Sequence, residues 1–80
     1  MIYLYVLQLE KNKIYIGTSE NVDKRINDHL LGHGSEWTKR FRVLNLLECH
    51  ILIDVFDEDK YVKKYMNIYG INNVRGGTYS

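Results

Sequence analysis

Two apolar, β-branched and aromatic runs, separated by four polar residues, constrain this chain more than any other feature. Residues 2–9 read IYLYVLQL, residues 14–17 read IYIG, and the segment between them reads EKNK. Such runs favour strands, and a short polar connection between two of them predicts a β-hairpin. We therefore expect Tyr5 and Tyr15 to lie in one small neighbourhood, although alternation alone does not place them on one face.

A helix is predicted directly after the hairpin. Val22, Ile26 and Leu30 recur at four-residue spacing, which predicts one apolar stripe facing the core. Arg25 and His29 are also four residues apart, so they lie one turn from each other on a flank of that stripe.

The next segments predict a third strand and then a second helix. Residues 43–53 are apolar almost throughout, which is typical of a central strand, whereas residues 37–42 read as irregular and basic. The last ten residues read as an extended or looped tail. The predicted fold class is α/β (α+β), a small, mainly antiparallel three-stranded sheet flanked by helices in the order β-β-α-β-α.

The second helix begins within the acidic residues 54–59. Tyr61, Tyr65 and Tyr69 follow at four-residue spacing and are predicted to be core residues. Gly70 is well suited to end this helix.

Bulk composition fits one small domain. Eighty residues with 45% apolar side chains can hold a single core, so residues 1–80 are predicted to form one domain. Eleven basic residues nearly cancel ten acidic ones, and the net charge of +1 excludes a strongly basic nucleic-acid binder. Cys49 is the only cysteine, which disfavours an internal disulfide and a structural zinc site. This cysteine usage predicts an intracellular protein. No apolar run approaches the roughly 18–20 residues that span a bilayer, so we expect no membrane partner.

Together these residues resemble the GIY-YIG endonucleases. Residues 15–17 (Tyr-Ile-Gly) match the second half of the family's name motif, and residues 3–5 correspond to the first half, with nine residues between Tyr5 and Tyr15. The helix with Arg25 and His29 is similar to the family's helix. The other matching segments are a Gly-rich stretch and an aromatic-Thr-basic step, at residues 32–34 and 37–39. The tail, with Arg-Gly-Gly at 75–77, looks like a branch seen in large DNA viruses and some microbes.

The resemblance implies hydrolysis of a phosphodiester. Tyr5 or Tyr15 would orient or deprotonate the attacking water, and Arg25 would present its guanidinium fork to the phosphate oxygens. His29 would help to position or deprotonate the water. Gly17 would end its strand where a side chain would obstruct the approach of another backbone.

Each of these residues also has a purely structural interpretation. The two tyrosines can fill a core, Arg25 can bridge to a nearby carboxylate on the surface, and His29 can be a packed helix histidine. Gly17 can serve only the turn from strand to helix.

The resemblance also implies one divalent metal, Mg²⁺ or Mn²⁺, held by a glutamate on the second helix. A gap-free comparison places that glutamate near Val62 or Lys63, neither of which can coordinate a metal. We therefore predict Glu58, about one turn earlier, as the ligand, with Asp59 as the second choice. The alternative is that these acids only favour the helix N-terminus.

A DNA contact patch is predicted from Trp37, Lys39, Arg40 and Arg42, because aromatic rings stack on bases and cations neutralise phosphates. Trp37 can instead cover one edge of the core. The predicted partner is DNA, in repair or recombination, with targeting supplied by another protein or a missing domain. A viral origin would place the protein in the host cytoplasm or nucleus. Two alternatives remain, an inactive module that only binds nucleic acid and a plain α/β interaction domain.

Overall fold

A computed structural model describes residues 1–79, so Ser80, the last residue of the predicted domain, lies outside the described residues. Residues 1–79 form a four-stranded sheet and three α-helices. In chain order they are β1 (Tyr3–Leu9), β2 (Ile14–Ser19), α1 (Val22–Leu30), α2 (Glu36–Arg40), β3 (Val43–Ile51), α3 (Asp57–Tyr69) and β4 (Val74–Gly76). No helix in this part of the chain is both long enough and apolar enough to cross a membrane.

The predicted hairpin is confirmed, and its register settles how the tyrosines face. β1 and β2 pair antiparallel, with Tyr5 opposite Gly17 and Leu7 opposite Tyr15. Tyr5 and Leu7 are two residues apart and so share a face of the sheet, and the residue paired with Leu7 points to that same face. Tyr5 and Tyr15 therefore lie on one side of the hairpin.

The sheet has the strand order β3-β1-β2-β4. β1 pairs antiparallel with both β2 and β3, as the predicted three-stranded sheet requires. β4 runs parallel to β2 and was not predicted, since the tail was expected to be extended or looped. Three residues are too few to show an alternating pattern, and it is the tertiary pairing of Val74 with Ile14 that makes this segment a strand.

The prediction that the third strand is central is wrong. β3 lies at the edge of the sheet, and Leu44, Leu46 and Leu47 are 40–49% exposed. The central position belongs to β1, whose residues 4–7 are at most 1% exposed. An apolar run signals burial only where both faces are covered, and the helices of residues 1–79 leave much of β3 in contact with solvent.

Two apolar clusters lie on opposite faces of the sheet. One contains Val62 and Tyr65 of α3 packed on the buried residues Leu4, Val6, Ile14, Ile16 and Val74. The other is built on Tyr5, Leu7 and Leu9, with side chains of α1 and α2 packed against them. The candidate site forms on this second face.

The stripe predicted on α1 is only partly correct. Val22 and Ile26 pack on the second cluster, but Leu30 is 56% exposed. Eight residues separate Val22 from Leu30, which rotates Leu30 by about 80° away from the stripe at 3.6 residues per turn. His29 takes the inward position instead and is 2% exposed.

The predicted core face of α3 is confirmed. Tyr65 is buried, and Tyr61 and Tyr69 pack against the same cluster. Gly70, with a φ of 98°, ends the helix as expected. The basic segment after residue 36 is not irregular, because Ser35 caps the short helix α2 through its hydroxyl. A five-residue helix is too short to show periodicity in the sequence.

Candidate active site

Tyr5 and Tyr15 form the centre of the site, and Gly17 makes room for them. Their ring centroids are 6.4 Å apart. A Cβ on Gly17 would collide with the Tyr5 ring and its hydroxyl. Gly17 is therefore needed for the placement of Tyr5, which is a more specific requirement than a turn from strand to helix.

His29 joins Tyr5 to α2. The Tyr5 hydroxyl lies 2.8 Å from His29 Nε2, and His29 Nδ1 lies 2.8 Å from Thr38 Oγ1. All three side chains are buried. Gly34 passes so close to the imidazole that a Cβ there would collide with Nδ1. The imidazole thus lies between the hydroxyls of Tyr5 and Thr38 and against the backbone of Gly34.

The hydrogen-bond network assigns the proton positions in this chain of groups. The Thr38 hydroxyl donates to the carbonyl oxygen of Ser35 at 3.1 Å, which leaves Thr38 Oγ1 to accept a proton from His29 Nδ1. Burial, with a smaller contribution from the charge of Arg25, lowers the pKa of His29 to about 4 from its ordinary 6.5. The ring is therefore neutral at pH 7, and its Nε2 accepts the proton of the Tyr5 hydroxyl.

Arg25, which lies on α1, works to lower the pKa of both tyrosine hydroxyls. Burial raises the pKa of Tyr5 well above its ordinary value of 10, and the neighbouring Tyr15 raises it further, while Arg25 opposes both. Burial likewise raises the pKa of Tyr15, again opposed by Arg25. Both side chains are phenols at neutral pH, so either can act as a base only by passing its own proton to another group.

Glu58 and Asp59 occupy the first turn of α3 but make different contacts. Glu58 Oε2 accepts the backbone N–H of Gly77 at 2.9 Å, and its charge reaches the hydroxyls of Tyr5 and Tyr15. Asp59 is engaged through both oxygens by Thr78, at 3.1 Å from its N–H and 3.2 Å from its hydroxyl. Of the two carboxylates, Glu58 is therefore the one coupled to the tyrosines.

The charge of Glu58 is held in a partly desolvated position. Burial raises the pKa of Glu58, the Gly77 N–H opposes that shift, and the adjacent Asp59 adds to it. Residues 1–79 contain no group of three or more His, Cys, Asp or Glu side chains that could hold a metal ion. A single carboxylate still fits Mg²⁺ or Mn²⁺, since Mg²⁺ usually keeps several waters and takes the rest of its ligands from substrate phosphates. The donor set does not fit zinc.

The four residues predicted to contact DNA line two cavities that share Arg40. Trp37 and Arg40 line a cavity of about 360 Å³ together with Tyr15, Arg75 and Tyr79, which we call the Trp37 cleft. Lys39 and Arg42 line a separate hollow of about 230 Å³, to which Arg40 also contributes. Trp37 packs against the Tyr5 cluster, as expected of a residue that covers one edge of the core, and its contact with DNA stays a prediction.

Two residues of the site, Arg75 and Gly77, are not among the site residues predicted from the sequence. Arg75 is the register partner of Tyr15 in the β2–β4 pair, so its side chain emerges beside that tyrosine. Gly77, with a φ of 55°, turns the chain so that its N–H reaches Glu58. The adjacent glycines at 76 and 77 were the only sequence signal for this turn. Nothing in the local pattern linked them to a carboxylate 19 residues earlier.

Comparison with known proteins identifies the family of this chain. A profile of the GIY-YIG catalytic domain matches residues 1–70. This chain belongs to the GIY-YIG family, whose members are nucleases, and the predicted membership is confirmed.

A curated relative matches a shorter part of the chain than the family profile does. The UPF0213 protein FN1575 of Fusobacterium nucleatum subsp. nucleatum is 36% identical over 44 residues, which are 55% of this chain and 44% of that protein. The match thus spans less than half of that relative's length. No solved structure matches the chain.

Proposed function

We propose that this chain is a metal-dependent endonuclease that hydrolyses phosphodiester bonds of DNA. The hydrogen bond of 2.8 Å between Tyr5 and a neutral His29 carries this proposal. It supplies a proton path beside a cation, Arg25, and a carboxylate, Glu58, that act on the same hydroxyl. Hydrolysis requires these three components around the attacking water.

The buried pair of Tyr5 and His29 would accept the proton of the water. Because the Tyr5 proton points at His29 Nε2, the lone pairs of the phenol oxygen remain available to another donor. As the water attacks phosphorus and the bond to the leaving oxygen breaks, the water proton would pass to Tyr5 while the Tyr5 proton passes to His29. The leaving oxygen would take a proton from solvent.

Tyr15 and Arg25 would hold the reacting groups in place. Tyr15 is half-buried and lines the Trp37 cleft, so its hydroxyl would orient the water from the open side of the site while Tyr5 receives the proton. Arg25 would offer a permanently charged, planar fork to the phosphate oxygens as negative charge builds on them. Both roles are positioning roles, whereas Tyr5 would take part in the proton transfer itself.

Glu58 would hold the divalent ion. When bound, such an ion polarises the phosphate and stabilises the leaving oxygen. The Gly77 N–H keeps the carboxylate of Glu58 oriented, and the thirteen-residue helix α3 that carries it packs on the opposite face of the sheet.

A nicking assay tests the function. Supercoiled, duplex and branched DNA are incubated with Mg²⁺, Mn²⁺ or EDTA and the wild-type chain, Glu58→Gln or Asp59→Asn. We expect cleavage with either metal, no cleavage in EDTA, and a loss of about 10²-fold or more in Glu58→Gln only. Asp59→Asn is the matched control, since it also removes one carboxylate charge from the first turn of α3.

Three outcomes would contradict parts of the proposal. Cleavage that persists in Glu58→Gln would remove Glu58 from the site, and a loss confined to Asp59→Asn would transfer the ligand role. Binding of DNA without cleavage under either metal would favour an inactive nucleic-acid-binding module.

A further inference from the structure

We propose that the Trp37 cleft is a subsite for one unstacked nucleotide of single-stranded DNA, next to the phosphate held at the candidate active site. This inference rests on the proposed function and narrows its substrate to DNA that carries a single-stranded segment.

The position of the cleft links it to the reacting groups. Tyr15 forms part of its wall, and Arg75 is placed beside Tyr15 by the parallel pairing of β2 and β4. A nucleotide in the cleft would therefore lie directly against a tyrosine of the candidate active site. Its volume of about 360 Å³ lies at the small end of ligand sites, which suits one nucleotide and not a duplex.

Trp37 provides a stacking surface that is already fixed. Its indole N–H donates to the carbonyl of Ile14 at 3.0 Å, and its ring meets Phe41 edge-on with centroids 4.9 Å apart. The ring therefore loses little freedom when a ligand binds. A base that stacks on such a ring must first leave its own stack, which is easy in a single strand and costly in a duplex.

Three cations surround the Trp37 ring. The Arg75 and Arg40 guanidinium carbons lie 4.9 and 5.8 Å from its centroid, and Lys13 Nζ lies 5.7 Å away. Among the described residues that line the cleft, Glu36 is the one acidic side chain, and it pairs with Lys39 at 3.2 Å. The described residues that line the cleft therefore carry two positive charges, on Arg40 and Arg75, against one negative charge, which suits a phosphate beside the stacked base.

Arg75 is oriented by the tail itself. Its Nη1 donates to the carbonyl oxygens of Ile71 and Val74 at 2.8 and 2.7 Å, which fixes the plane of a group with five N–H donors. The tail also contributes Tyr79 as a second aromatic side chain in the wall. Aromatic rings interleaved with cations are the usual means of binding single strands without reading their sequence.

The total charge of the chain supports the choice of a single strand. A net charge of +1 provides little general attraction for a duplex, whose binding relies on many phosphate contacts. Stacking on Trp37, with a few local cations, can supply affinity that the total charge does not.

Trp37 is the only tryptophan, so its fluorescence reports directly on the cleft. In EDTA, the full chain is titrated with an oligothymidylate of about eight nucleotides and with a blunt duplex of equal phosphate content. We expect saturable quenching by the oligothymidylate, with an affinity about tenfold or more above that for the duplex. Equal affinity for the duplex, or no quenching by the single strand, would overturn the subsite.

Charge variants distinguish binding of the oligothymidylate in the Trp37 cleft from general electrostatic attraction to the protein. Arg75→Gln and the surface variant Arg40→Gln should each weaken binding of the oligothymidylate by about five- to tenfold. Lys64→Gln removes the same charge from α3, beside Tyr61 and Tyr65 on the other side of the sheet, and should change affinity by less than about twofold. Equal weakening by Lys64→Gln would overturn the proposal, and Arg40→Gln keeps the test valid if Arg75→Gln fails to fold.

A parallel cleavage assay distinguishes this proposal from the proposed function. Cleavage of DNA without quenching by the oligothymidylate overturns the subsite and leaves the endonuclease standing. Saturable quenching without cleavage in Mg²⁺ or Mn²⁺ supports the subsite and removes the endonuclease. Tighter binding of an oligouridylate would overturn the assignment to DNA.

Discussion

The groups that complete the site around Tyr5 and Tyr15 come from two regions that differ in burial and in distance along the chain. On one side, His29 and Thr38 are 2% and 4% exposed and continue the hydrogen-bond chain that starts at Tyr5. On the other, Glu58 is only partly buried and depends on the backbone of the tail. The first region belongs to the core, whereas the second lies at its surface.

Because of this difference in burial, substitutions in the two regions should differ in how strongly they affect stability relative to catalysis. A change in the buried region leaves a polar group without its partner and therefore lowers the free energy of unfolding along with activity. A change at the surface alters charge and contacts with the substrate while the core stays intact. The two regions should thus respond differently to the same kind of substitution.

The largest expected effect on stability concerns His29 and pH. Its pKa is about 4 in the folded chain against an ordinary 6.5, so the unfolded state binds more protons between these values. The contribution of neutral His29 to the free energy of unfolding is complete above pH 6.5. It decreases as pH falls toward 4, by at most about 3 kcal/mol. Urea unfolding from pH 7 to 4 measures this loss.

Two histidine variants test whether His29 causes this pH dependence of stability. His29→Gln should flatten the pH dependence, whereas His33→Gln, at an exposed position, should keep it. The same slope in both variants would show that another group is responsible.

The tyrosine pair gives the next largest contrast. Tyr5→Phe removes the donor to a buried His29 Nε2 and should lower the free energy of unfolding by about 1–3 kcal/mol. Tyr15→Phe, at a half-buried position, should lower it by less than about 0.5 kcal/mol. Both variants should reduce cleavage by about 10²-fold or more. Equal losses of stability in the two variants would contradict the inference that the buried hydrogen-bond chain from Tyr5 contributes to the stability of the fold.

The smallest expected effect is at Glu58. Burial raises its pKa in the folded chain, so the ionised carboxylate is disfavoured by folding at pH 7. Glu58→Gln should therefore leave stability unchanged or raise it, by less than about 0.5 kcal/mol, while cleavage is lost. Thermal unfolding compares it with Glu36→Gln, which removes an exposed carboxylate and should have little effect. A marked drop in the thermal midpoint would place Glu58 among the groups that hold the fold.

Local pattern predicted the elements whose signals are complete within a few residues. The hairpin, the tyrosine face of α3 and its end at Gly70 all depend on neighbours along the chain. The position of β3 and the strand β4 could not be predicted in this way. An apolar run does not state how many partners a strand has, and a three-residue strand shows no period.

The candidate site likewise contains residues that the sequence could predict and one whose support came only from tertiary contacts. Tyr5, Tyr15, Arg25 and His29 were selected by spacing and resemblance, and the fold brings them together. Their catalytic roles stay predictions. The preference for Glu58 over Asp59 gained its physical argument only from the contacts of the tail.

The sequence by itself determined the hairpin, the placement of the tyrosines on it and the family, because those features depend on residue type and short spacing. Only the tertiary structure decided that Tyr5 and Tyr15 share a face, that His29 is buried behind Tyr5 and that Arg75 stands beside Tyr15. These placements depend on strand register and on parallel pairing across about 60 residues, which no local pattern encodes.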